Sequence, residues 1–100
     1  MRLTQEQILS IFEVVYSQAG DDVVIYVFGS RLNDQVKGGD VDLLIETNEP
    51  LTLLDRACIK MKLERKLSLP VDIVTQTSYL APTPFQQIAR AQAVRLRAPL

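Results

Sequence analysis

Gly29 and Ser30 are followed, after a gap of nine residues, by the acidic pair Asp40 and Asp42. Alternate side chains of a β-strand face the same way, so Asp40 and Asp42 would share one face while Val41 faces the other. Two carboxylates in that arrangement can hold a hard cation such as magnesium, which takes oxygen ligands and leaves positions for water and phosphate. The pattern predicts metal-dependent chemistry at phosphate.

A third acid, Asp72, stands alone among the hydrophobic residues of the short run 71–74. If this run is a strand beside the one that carries the acidic pair, three carboxylates converge. Three acids around two metal ions suit an in-line displacement at phosphorus, by nucleotidyl transfer or by hydrolysis. Aspartate is unfavourable in strands and costly to bury unpaired, which favours this interpretation over surface acids on edge strands.

The residues around Gly29 are suited to phosphate. Glycine lets the backbone come close to a triphosphate, and the N–H groups and hydroxyl around Gly29 and Ser30 can hold phosphate oxygens. The planar guanidinium group of Arg31 can also bind phosphate through its charged N–H donors. We therefore expect a phosphate-binding loop opposite the acids.

Three strands are predicted to position these residues. Residues 23–28 form an apolar run that leads into Gly29, and the runs 40–45 and 71–74 carry the acids. Their short apolar patterns are typical of buried strands.

The first and third helices each begin with a capping box, Thr4 with Gln7 and Thr83 with Gln86. With proline at its first position, the third helix is predicted to cover 84–94.

A second helix is predicted to start at Thr47 or Asn48, with Pro50 in its first turn, and to end before Pro70. Apolar residues at helical spacing predict its buried face: Leu54, Ala57, Cys58, Met61 and Leu67. Basic residues occupy much of the remaining surface: Arg56, Lys60, Lys62, Arg65 and Lys66. We interpret these as a solvated face that suits the helix dipole, in preference to a patch dedicated to an acidic partner.

The order strand, Gly-Ser, loop, Asp-x-Asp and a later Asp resembles the minimal nucleotidyltransferase (MNT) domains of the DNA polymerase β-like superfamily. The resemblance covers most of the chain, from the first helix through Asp72. It implies that Gly29 and Ser30 bind the nucleotide triphosphate and that Asp40 and Asp42 hold magnesium ions. It also implies that Asp72 completes the metal site and activates the attacking hydroxyl.

Small prokaryotic members of this family are often encoded beside an all-helical HEPN protein as antitoxin and toxin. The resemblance therefore implies an antitoxin that uses ATP and Mg²⁺, with two ions, to transfer AMP to a tyrosine of a HEPN ribonuclease. The alternative is a binding module that masks a helical partner without turnover, and a small-molecule acceptor is a third possibility. Three carboxylates that repel one another without metal favour the enzyme.

Composition narrows the choice of partner and compartment. The chain has 11 basic and 12 acidic residues, no histidine and one cysteine. This balance offers no basic surface for nucleic acid, and the absence of histidine leaves carboxylates as the natural proton acceptors. No apolar stretch approaches the roughly twenty residues that span a bilayer, and the first residues lack a signal-peptide core, so we expect a cytoplasmic protein without a membrane segment.

The predicted fold class is α/β, a small mixed β-sheet with helices packed on one face, as in the polymerase β-like nucleotidyltransferase fold. A length of 100 residues suits a single domain, 1–100, with no room for a further domain to hold the acceptor. The acceptor must then bring its own binding surface, or a second chain must supply one. We expect a helical protein partner, and a homo-oligomer stays open.

Overall fold

The computed structural model describes residues 3–29, 40–78 and 81–98. Within these ranges the chain forms three helices and four strands, in this order: α1 (Gln5–Ala19), β1 (Val23–Phe28), β2 (Val41–Thr47), α2 (Leu53–Leu67), β3 (Val71–Thr77), α3 (Pro84–Gln92) and β4 (Val94–Arg95).

The described strands form a mixed sheet in the order β3-β2-β1-β4. β1 is antiparallel to both of its neighbours, whereas β2 and β3 are parallel. Parallel neighbours need a crossover connection, which α2 supplies. β2 and β1 are the two inner strands of this order. Four residues of β2 are completely buried: Val41, Leu43, Leu44 and Ile45. The predicted fold class, with its mixed sheet, is confirmed.

α1 and α2 cover one face of the sheet. Ile11 and Val15 of α1 and Ile59 and Leu63 of α2 are fully buried in a core that they share with β1, β2 and β3. The two helices are also joined at their surface, where Lys66 pairs with Glu13 of α1 at 3.1 Å. The core therefore lies between this helical layer and the sheet.

α3 contacts the opposite face. The guanidinium of Arg90 lies 4.4 Å from the ring centroid of Tyr26 and pairs with the carboxylate of Glu46. On their strands Tyr26 and Glu46 alternate with Ile25 and Ile45, which are buried in the core beneath α1 and α2. The prediction that helices pack on one face thus holds for α1 and α2, whereas α3 lies on the other side.

The predicted start of α2 is wrong. The helix begins after Thr52, whose hydroxyl accepts a hydrogen bond from the backbone N–H of Asp55 at 3.0 Å while Asp55 accepts one from the N–H of Thr52. Thr47, the predicted cap, is instead the last residue of β2, where it pairs with Val23 and Thr77. Strand pairing on both sides therefore overrides the local capping signal at Thr47.

The predicted buried face of α2 is wrong for Leu54, Ala57 and Met61, which are exposed, whereas Leu67 is buried as predicted and Cys58 is half-buried. Ile59, Leu63 and Leu67 are the buried residues, whereas Leu54 is 72% exposed and Met61 53%. Apolar residues lie on two adjoining stripes of α2, and packing against the sheet selects one of them. One apolar stripe of α2 consequently stays in solvent.

The tail departs from its prediction in the same way. α3 ends at Gln92, two residues before the predicted end, and Val94 opens the short strand β4. On α3 the side chain of Ala89 is buried, while Ile88 is 60% exposed. No helix within residues 3–29, 40–78 and 81–98 has both the length and the apolar character that crossing a bilayer requires.

The rotational setting of α2 can be tested by two matched truncations. Leu63→Ala should lower the free energy of unfolding by about 2–5 kcal/mol because it leaves a cavity in the core. Leu54→Ala should change it by less than about 0.5 kcal/mol because Leu54 is in solvent. Urea denaturation with a common m-value measures both. Equal losses would contradict the observed setting of the helix.

Candidate active site

The predicted acids lie together where β1 ends and β2 and β3 begin. Asp42 is paired in register with Phe28 of β1 on one side and with Asp72 of β3 on the other. Residues at matching positions of neighbouring strands face the same side of the sheet, so Asp42 and Asp72 share a face. Asp40, immediately before β2, is hydrogen-bonded to Asp72 through its side chain. The structure therefore brings the three acids into one cluster.

The surroundings of Asp40 and Asp42 disfavour the charged forms of these two carboxyl groups. The hydrogen bond with Asp72 raises the pKa of Asp40, and burial and the charge of Asp72 act in the same direction. Burial raises the pKa of Asp42, and the charges of Asp72 and Asp40 raise it further. A cation beside the cluster would favour the ionised carboxylates again.

The donors fit magnesium in chemical type, since this ion prefers carboxylate oxygens. In the present side-chain arrangement, no three acidic, histidine or cysteine side chains among the described residues are close enough together to hold one metal ion. Asp40, Asp42 and Asp72 therefore form a cluster of contacting pairs, not a closed three-ligand site.

Gly29 brings the end of β1 directly against this cluster. Its φ of +75° lies in the left-handed region, which residues other than glycine rarely adopt. A Cβ atom built on Gly29 would overlap the carboxylate of Asp42. Backbone conformation and contact with Asp42 therefore both require glycine here. Ser30 and Arg31, the other residues predicted to bind phosphate, lie outside the described residues.

Lys60 of α2 is a residue of the site that the sequence analysis missed. Its Nζ lies 3.8 Å from Oδ1 of Asp72 and 3.3 Å from Oε2 of Glu64, and it donates a hydrogen bond to the carbonyl of Val71. The backbone N–H of Val71 donates to Glu64 at 2.9 Å, which lowers the pKa of Glu64. Lys60 and Glu64 thus hold the start of β3 and place a positive charge beside Asp72.

The sequence did contain a signal for Lys60. Lys60 and Glu64 are four residues apart, a spacing at which opposite charges meet on a helix. This pair precedes the strand that carries Asp72. The sequence interpretation assigned Lys60 to the solvated basic face because the contact between α2 and the edge of β3 is tertiary.

Comparison with known proteins identifies a family pattern over most of the chain. Residues 8–95 match the family model described as nucleotidyltransferase domain. The solved structure of a candidate minimal nucleotidyltransferase is 32% identical and superposes with a TM-score of 0.62, covering 95% of this chain and 98% of that chain.

Two further relatives match less completely. A candidate protein adenylyltransferase of Methanocaldococcus jannaschii is 40% identical over 53 residues, which is 52% of this chain and 57% of that protein. The match therefore spans little more than half the length of this relative. A chain of the complex between a tri-AMPylated Shewanella oneidensis HEPN toxin and an MNT antitoxin is 22% identical, with a TM-score of 0.71, and the match covers 96% of this chain and 74% of that chain. At this identity the likeness shows the shared fold.

The contact between Gly29 and Asp42 can be tested by a double-mutant cycle. Gly29→Ala should cost about 1–3 kcal/mol in unfolding free energy through backbone strain, plus the overlap with Asp42. Part of this loss should disappear in the Asp42→Ala background, because the overlapping carboxylate is gone. Denaturant unfolding of the wild type, the two single mutants and the double mutant measures the coupling.

Gly20→Ala is the matched control for that cycle. Gly20 also has a positive φ, of +84°, but a Cβ atom there would meet no atom within 4 Å. Gly20→Ala should therefore lower the free energy of unfolding by the same amount in the wild-type and the Asp42→Ala background. If Gly29→Ala showed the same independence, the close approach of Gly29 to Asp42 would be wrong.

Proposed function

The chain belongs to the nucleotidyltransferase domain family, and from that premise we propose that it transfers AMP from ATP to a hydroxyl group of a partner protein. The acid cluster carries this proposal. Asp42 pairs in register with Asp72, Asp40 is hydrogen-bonded to Asp72, and Gly29 lies against Asp42. Contacting carboxylates beside a glycine that carries no side chain suit displacement at phosphorus assisted by metal ions.

The proposed acceptor is a HEPN-type helical protein, modified on a tyrosine, and the proposed role of this chain is that of its antitoxin. Two relatives support this choice: one is named as a candidate protein adenylyltransferase, and a chain with the same fold belongs to a complex with an AMPylated HEPN toxin. We take residues 1–100 as one minimal nucleotidyltransferase domain. Because the proposed reaction consumes ATP, we assign it to the cytoplasm.

Asp40, Asp42 and Asp72 are the residues that we propose to hold two Mg²⁺ ions. Bound ions would stabilise the charge on the attacking and leaving oxygens during the displacement. Before any ion binds, the positive charge beside Asp72 comes from Lys60. Ions and Lys60 therefore act on the same carboxylate.

The proposed reaction is a single displacement at the α-phosphorus of ATP. The acceptor oxygen forms a new P–O bond while the bond between the α-phosphorus and the oxygen that bridges to the β-phosphorus breaks. Pyrophosphate leaves with that electron pair, and Asp72 accepts the proton of the hydroxyl. Gly29, Ser30 and Arg31 hold the triphosphate so that the leaving group points away from the acceptor.

One observation favours a second candidate function, a module that neutralises its partner by binding alone. Lys60 already pairs with Asp72, and the described residues contain no ready three-ligand metal site. A chain that only bound its partner would keep such an ion pair permanently. The experiment below separates the two functions.

AMP transfer should appear as an increase in the intact mass of a HEPN-type protein incubated with this chain, ATP and Mg²⁺. Asp42→Asn should lower the rate at least about a hundredfold, because a lost metal ligand removes several kcal/mol of charge stabilisation. Glu49→Gln, an exposed acid outside the cluster, is the control and should transfer normally. A stable complex without mass gain would establish the binding module, and full activity of Asp42→Asn would refute the metal assignment.

Two further variants should separate chemistry from nucleotide binding. Asp72→Asn should lower kcat at least about tenfold and leave ATP affinity nearly unchanged, because the base acts on the acceptor proton. Ser30→Ala should show the reverse, weaker ATP binding with a smaller effect on kcat. Calorimetric titration with a non-hydrolysable ATP analogue and initial rates measure both effects. An unchanged rate in Asp72→Asn would remove this residue from the mechanism.

A further inference from the structure

A groove runs between α2 and β3, which is the edge strand of the sheet next to the acid cluster. Its cavity has a volume of about 300 Å³ and is lined by Leu53, Arg56, Ala57, Lys60, Asp72 and Ile73. It continues along β3 into a second cavity, which shares Arg56 and Ile73 with the first. The groove therefore starts at the proposed base, Asp72, and leads away from it along the outer edge of the sheet.

The lining of the groove combines exposed apolar surface with an uncompensated positive charge. Leu53, at one end of the groove, is 78% exposed. Ion pairs are made by Lys60 and Lys66 of the same helix, but Arg56 has no acidic partner among the described residues. A ligand that offers an apolar group and an acid would satisfy both features.

The order of the strands separates this groove from the phosphate-binding side. Gly29 follows β1, Asp42 lies on the inner strand β2, and Asp72 lies on the edge strand β3. The groove is thus on the far side of the acids from Gly29. In an in-line displacement the attacking and leaving oxygens lie on opposite sides of the phosphorus. With the triphosphate at Gly29, the acceptor approaches from the side of β3.

We propose that this groove binds the segment of the acceptor protein that flanks the modified hydroxyl. An acidic side chain of that segment pairs with Arg56, and an apolar side chain packs against Leu53, Ala57 and Ile73. The identity of the occupant rests on the proposed function. The groove thereby selects acceptors by the residues beside the hydroxyl, and the bound segment covers the exposed side chain of Leu53.

The test compares Arg56→Glu with Arg65→Glu, a charge reversal of another exposed arginine about 14 Å further along α2. The probe is the HEPN-type protein used in the transfer experiment. Arg56→Glu should raise both the Kd for this protein and its KM as acceptor by about tenfold or more, because like charges then meet. Arg65→Glu should leave both unchanged. The Kd for MgATP should be the same in both variants.

Each other outcome is decisive. If Arg56→Glu and Arg65→Glu bind and use the acceptor equally well, the groove is not its docking site. If Arg56→Glu instead raises the Kd for MgATP, the groove binds the nucleotide and the proposal is overturned. If the wild-type chain binds the HEPN-type protein but transfers no AMP, the proposed function fails, and the two Kd values still decide the role of the groove. Thermal unfolding of Arg56→Glu and Arg65→Glu is the control that checks whether both variants are folded.

Discussion

The parallel register between β2 and β3 places the carboxylates of Asp42 and Asp72 side by side. The packing of the surrounding residues maintains this register. The same register that sets Asp42 opposite Asp72 sets Val41 opposite Val71, and both valines are completely buried on the other face. A slip by one residue would turn the side chains of one strand over, exposing a core valine and burying an acid. Burial of apolar surface thus holds together carboxylates that repel one another.

α2 connects this register to the surface of the protein through three of its faces. One face buries Ile59 and Leu63 in the core, and a second carries Lys60 and Glu64, which bind the first residue of β3. The third carries the exposed apolar residues Leu54 and Met61. A helix that the topology requires as a crossover therefore also stabilises the edge strand and shapes the surface beside the acids.

The sequence predicted features that depend on local chemistry and missed those that depend on packing. The capping box at Thr83 was sufficient to predict the start of α3, and the alternation around Asp42 was sufficient to predict β2. Both patterns involve residues that are close in the sequence. Thr47 also resembled a cap, but pairing on both sides keeps it in β2. The exposure of Leu54 and the contact of Lys60 with Asp72 depend on how α2 is rotated against the sheet. Two apolar stripes on one helix leave that rotation undetermined by periodicity.

The short strand β4 determines how well the other edge of the sheet is protected from self-association. It pairs only with Tyr26 and Val27, and the backbone N–H of Leu96 adds one hydrogen bond to Ile25 at 2.8 Å. Local opening of so short a ladder needs few broken bonds, so amide exchange should be fast there. Opening uncovers an apolar strand edge, which is a template for pairing between molecules. β4 therefore covers the edge of β1, and its local opening would leave that edge free to pair with another molecule.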